Sequence, residues 1–107
     1  MADADYVTDI KKYSATVDDK AVSGIVKYLG IALKSSKDAA LVSCSSKSEL
    51  ERVRENFMKK KLKMTEPDAD LDKHIKSVCE VMKAAHDKHR VTFCYLLAEK
   101  AGKLAAL

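Results

Sequence analysis

Residues 91–98 read Val91-Thr92-Phe93-Cys94-Tyr95-Leu96-Leu97-Ala98. Thr92 and the hydroxyl tip of Tyr95 are the only polar interruptions. An apolar run of this length fits a buried strand or a buried helix, and periodicity alone does not separate the two. The continuation Ala98-Glu99-Lys100-Ala101 is made of good helix formers, and no other segment reads as a partner strand. A helix from about Arg90 to Lys103 is therefore expected. A helix that is apolar on most sides is buried on most sides. This places the C-terminal helix at the centre of an all-α bundle of about five helices plus a short one.

The remaining helices are read outward from this centre. Leu71, Ile75, Val78, Met82 and Ala85 fall at helical spacing over about 69–85, with Lys73, Lys76, Glu80 and Lys83 off the stripe. Before it, the single proline, Pro67, marks a loop over 65–68. A third helix ends in Lys59-Lys60-Lys61, which suits the negative end of a helix dipole. Its start carries a capping-box pattern, either Ser48 with Glu51 or Ser46 with Glu49. Leu50, Val53 and Phe57 form its inner face. A second helix starts at the N-cap candidate Asp18, with Val17 placed to staple onto Val22. Val22, Ile25, Val26, Leu29 and Leu33 make its stripe. Gly30 reads either as a C′ glycine or as a tolerated interior one. A first helix over about 4–14 aligns Tyr6, Ile10 and Tyr13, with Asp3 or Asp5 as its cap. Lys34–Lys37 reads as a loop, Asp38 as the cap of a short helix through Val42, and Ser43–Lys47 as a turn.

Composition agrees with this reading. The chain of 107 residues is sized for one domain over 1–107. With three Gly and one Pro it lacks the turn residues of a β-rich domain. Hydrophobic residues at 47% and charged residues at 34% point to a globular core rather than disorder. Met1 to Asp9 carries three aspartates and no base, unlike a signal or transit peptide. No apolar run approaches the roughly 20 residues that span a bilayer. The three cysteines, Cys44, Cys79 and Cys94, are an odd count without short spacing. That usage is expected of a reducing, cytoplasmic setting with free thiols.

Several constellations carry chemically capable side chains. Asp68, Asp70 and Asp72 begin like a calcium loop, but its sixth and twelfth positions are Lys73 and Cys79, not Gly and Glu. The acids read instead as a helix N-terminus favoured by the dipole. His74, His86, His89, Cys79 and Cys94 lack the paired spacings of a zinc site. A Cys–His nucleophile pair would need an exposed, electropositive thiol, whereas Cys79 and Cys94 sit in apolar surroundings. No nucleotide-binding or hydrolase glycine motif occurs. Arg90, Tyr95 and Glu99 read as capping and packing groups rather than as a polar pocket. No catalytic, cofactor-binding or metal residue is assigned, and no cofactor is expected.

The charge pattern says more. From Arg52 to Lys63 there are six bases, Arg52, Arg54, Lys59, Lys60, Lys61 and Lys63, against Glu55 alone. From Glu66 to Asp72 there are four acids and no base. The six cations are the candidate binding residues. They fit contact with a protein partner, or with the acidic run of a second copy in a homodimer. Sequence-independent nucleic-acid binding is the alternative. Against it stand the net charge of only +4, the absence of Trp, and no aromatic residue among the lysines besides the inward-facing Phe57.

The run Lys88 to Glu99, together with Val22–Leu33 and Leu50–Lys61, resembles a family of small bacterial proteins, the domain-of-unknown-function family numbered 2853. The resemblance covers nearly the whole chain. It implies a short, stand-alone helical protein without an assigned activity and brings no catalytic residues with it. Cys94 stands where members carry an aromatic, which argues against a thiol mechanism. The function expected from the residues is that of a non-enzymatic helical interaction module.

Overall fold

The computed structural model describes residues 3–35, 41–85 and 88–104. Helices α1 (Asp3–Ile10), α2 (Asp19–Ser35), α3 (Lys47–Arg52), α4 (Asp68–Val81) and α5 (Arg90–Lys100) follow in order. α3 continues without a break into a π-helical segment, Val53–Lys61. Among the described residues there is no strand, only an isolated antiparallel bridge between Leu41 and His89. The short helix expected from Asp38 lies mostly outside the described residues, and its last positions are not helical, since Leu41 belongs to that bridge.

α5 is the centre. Every residue from Val91 to Ala98 is buried, and the helix packs against α1, α2 and α4. Its C-terminus closes on Gly102, whose φ of +68° is a left-handed conformation that a Cβ would strain. Lys103 N–H donates to Ala98 O at 2.7 Å and Gly102 N–H to Glu99 O at 3.1 Å, the paired bonds of a Schellman cap. The helix therefore ends short of the expected Lys103. α4 likewise ends at Val81 instead of Ala85, while its stripe of Leu71, Ile75, Val78 and Met82 is buried as expected.

Local signals hold at the helix starts. Asp18 caps α2, its Oδ1 accepting from Lys20 N at 3.0 Å and Ala21 N at 3.2 Å. α2 runs through Gly30 to Ser35, so this glycine is an interior one, and Lys34 is helical rather than loop. Ser46 caps α3 by accepting from Glu49 N at 3.4 Å. The capping box is only half made, because the Glu49 carboxylate is taken by Arg90 instead.

The free-thiol expectation fails for two cysteines. Cys44 and Cys79 form a disulfide with a Cα–Cα distance of 6.0 Å, joining the approach to α3 with α4. Closing a loop of 35 residues removes about 3–4 kcal/mol of unfolded-chain entropy in the chain-entropy account. Cys94 is the free thiol, fully inside the core.

Leu97 is 0% exposed on α5. Leu97→Ala is expected to cost about 2–5 kcal/mol as a cavity-type loss. Lys100→Ala, on the exposed end of the same helix, is expected to change stability by less than about 0.5 kcal/mol. Chemical denaturation of both variants measures the contrast, and similar small losses would mean that α5 is not the centre of the fold.

Candidate functional site

The basic segment begins in α3 and lies mostly on the π segment, and its winding sets which cations face outward. Val53, Phe57, Met58 and Leu62 are buried. Val53 to Met58 and Phe57 to Leu62 are both steps of five, the i→i+5 repeat of a π-helix. Leu62 N–H indeed donates to Phe57 O at 2.8 Å. An α-helix continued from Val53 and Phe57 would next turn Lys60 and Lys61 toward the core. The wider winding brings Met58 and Leu62 inward and leaves Lys60 exposed. The apolar steps of five carry this signal, which a 3.6-residue period does not reveal.

The acidic run that follows folds back on this segment. Arg54 Nη1 lies 3.0 Å from Asp72 Oδ1, and Arg54 Nη2 lies 3.7 Å from Asp68 Oδ2. Arg54 Nε is 2.9 Å from Glu55 Oε2. Lys59 Nζ is 2.6 Å from Asp68 Oδ1 and 2.8 Å from Glu55 Oε2. Two of the six expected binding cations are thus held by acids of the same chain. The hydrogen bonds it donates to Glu55 and then Asp72 hold the pKa of the Arg54 guanidinium above its ordinary value. Lys59 is raised by Asp68 and then Glu55. In return, Lys59 depresses the Asp68 carboxyl, and Lys59 followed by Arg54 depresses that of Glu55.

The other four cations lie outside this network. Arg52, Lys60 and Lys63 are exposed. Lys61 sits over the ring of Tyr28 from α2, 5.7 Å from its centroid. Tyr28 packs against Phe57, with ring centroids 5.9 Å apart, and its hydroxyl donates to Asn56 O at 2.8 Å. It stays 41% exposed. No local pattern marks this aromatic as a neighbour of the lysines, because it comes from another helix. Lys63 adopts φ +55° as the chain leaves the π segment, a left-handed conformation that costs a residue with a Cβ roughly 1–2 kcal/mol.

The polar groups of α5 do not converge on a pocket. Arg90 Nη2 donates to Leu41 O at 3.1 Å and pairs with Glu49. The Tyr95 hydroxyl accepts from Asp18 N at 2.9 Å. Glu99 Oε2 accepts from the Ser14 hydroxyl at 2.7 Å. Tyr95 and Glu99 thus tie the α1–α2 connection, and Arg90 ties the approach to α3. Burial pushes the Cys94 thiol up to about 12, so it carries little thiolate at neutral pH. Asp68, Asp70 and Asp72 head α4, with Asp68 and Asp72 facing Arg54. His86 lies outside the described residues, and His89 meets Tyr6 edge-on at 6.2 Å. Among the described residues no group of three His, Cys, Asp or Glu side chains is placed to hold a metal ion. No helix among them is long and apolar enough to cross a membrane.

The family described as "Protein of unknown function (DUF2853)" matches residues 5–105, and the chain belongs to it. No curated protein matches the chain.

Two measurements check this geometry. Lys63→Gly relieves the left-handed strain and is expected to stabilise the protein by up to about 1 kcal/mol in chemical denaturation. The second concerns acid. Asp68 and Glu55 have folded-state values below their unfolded ones. Their contribution is therefore fully present above the unfolded values, near 4, and is lost as pH falls through the depressed folded ones. Lys59→Met removes the ammonium that does most to depress both carboxyls. Its stability is expected to fall less steeply than wild type below pH ~4.5; equal slopes would show that the pairs are too solvated to matter.

Proposed function

We propose that this family member is a non-enzymatic helical interaction module that engages an acidic protein partner through Arg52, Lys60, Lys61 and Lys63. One observation carries the reading. The neighbouring acids neutralise Arg54 and Lys59 but leave these four cations without a carboxylate among the described residues. Charges that a fold does not pair act on encounter with a partner of opposite sign.

The same pairing weakens the case for a second copy as the partner. With Asp68 and Asp72 engaged within the chain, a copy would offer the exposed Glu66 and Asp70 against four cations. Nucleic acid is the second reading. What favours it is Tyr28, an exposed ring beside Lys61 that offers a stacking surface among cations. The cytoplasmic setting is part of the proposal. In such a setting an accessible disulfide is transient or redox-sensing rather than permanent.

Fluorescence anisotropy with a labelled polyglutamate peptide at low salt tests the first reading. Binding is expected, weakened about tenfold or more by the pair Lys60→Ala and Lys63→Ala and unchanged by Lys100→Ala. Binding of labelled oligouridylate but not of polyglutamate, falling steeply with salt, would move the assignment to nucleic acid. Binding of neither would remove this surface from consideration, and a dimer by light scattering would restore the self-associating version.

A further inference from the structure

α3 contains no buried residue. Its place in the fold rests on a few ties at one corner. Val42 N–H donates to Lys88 O at 2.8 Å, and Arg90 holds Leu41 O and the Glu49 carboxylate. Leu50 packs only partly against the core. The remaining tie is covalent, between Cys44 and Cys79. Both cysteines are half-buried at the edge of the core rather than sealed inside it. By contrast Cys94 is 1% exposed in the core and out of reach. The core around α5 takes most of its buried side chains from α1, α2, α4 and the segment 53–64, none from α3, and from the corner 41–52 only Val42.

We propose that Cys44–Cys79 is a reversible thiol–disulfide switch that fastens the corner of residues 41–52 onto α4. The exchange partner is a low-molecular-weight dithiol or disulfide. A thiolate of the dithiol attacks one sulfur of the Cys44–Cys79 bond. This forms a mixed disulfide and releases the other cysteine, which takes up a proton. The second thiol of the reductant then displaces the protein and closes its own disulfide. Two electrons and two protons pass to the protein, leaving two cysteine thiols. A small disulfide reverses the sequence and is itself reduced to two thiols.

In the reduced state the corner keeps, among the described residues, its hydrogen bonds, the Arg90 pair, the contacts of Val42 and Leu50 and the run of α3 into the π segment. Such a segment opens locally while the core stays closed. Arg52, at the end of α3, is the one candidate binding cation on the released part. The switch itself does not depend on the binding reading, because its test uses no ligand.

Native protein is treated with iodoacetamide before and after dithiothreitol, and amide hydrogen exchange is followed in both states. No cysteine is expected to be labelled when oxidised, Cys44 and Cys79 when reduced, and Cys94 only after denaturation. Exchange at Val42 and Leu50 is expected to quicken about tenfold or more on reduction, with the α5 amides unchanged. Cys44→Ser should match the reduced state, and Cys94→Ala should still switch. Three results would overturn the proposal. Unchanged exchange over 42–52 would make the bond a passive tie. Loss of protection in α5 as well would make it a brace of the whole fold. Resistance of the native bond to dithiothreitol would make it a sealed crosslink.

Discussion

Burial of α5 on every side is the constraint from which the arrangement of the other segments follows. Its octet from Val91 to Ala98 leaves no face for water, so each polar atom on it needs a partner from elsewhere in the chain. The Thr92 hydroxyl, inside the core, donates to Asp9 at 2.5 Å and fixes α1. The Tyr95 hydroxyl meets the backbone N–H of Asp18 where α2 begins, and burial raises its pKa, which keeps it protonated. Glu99 meets Ser14 in the α1–α2 connection. Arg90 reaches Leu41 and Glu49. Apolar contacts draw the helices around α5 without direction. The few polar groups add the direction, because leaving one unpaired inside would cost about 1–3 kcal/mol.

Features carried by neighbouring residues were legible before the fold was known. The octet, the α4 stripe and the Asp18 cap each depend on side chains within one or two helical turns. Features that join distant residues were not. Nothing local marks Cys44 and Cys79, 35 residues apart, as a pair. Glu49 sits at the capping-box position behind Ser46, but Arg90 draws its carboxylate away, since a charged pair outcompetes a neutral backbone N–H. The six cations were identified by type, while their division into paired and unpaired groups required the fold of 66–72 over 52–63. Tyr28 was invisible as part of that surface for the same reason.

The π segment lies between these cases. Its five-residue steps were present in the sequence, and three consecutive lysines were the reason to notice them. Turning Lys60 inward would bury an ammonium without a counter-charge, a cost of several kcal/mol. A wider turn costs far less when Met58 and Leu62 gain burial in exchange. Tyr28 supports the exchange by occupying Asn56 O and covering Phe57.

The winding also sorts the charges. Arg54 and Lys59 face α4 and meet its acids, whereas Arg52 and Lys60 face water with Lys63 beyond them. Like charges gathered on one face repel, and dispersing them would relieve that repulsion. Arg52, Lys60 and Lys63 are exposed and enter no ion pair among the described residues, while Lys61 rests on the Tyr28 ring. The inner pair docks α4 against the π segment, and the outer set remains for whatever meets the protein from solution. That separation follows from one local choice of helical winding, made where an apolar step of five and a run of lysines coincide.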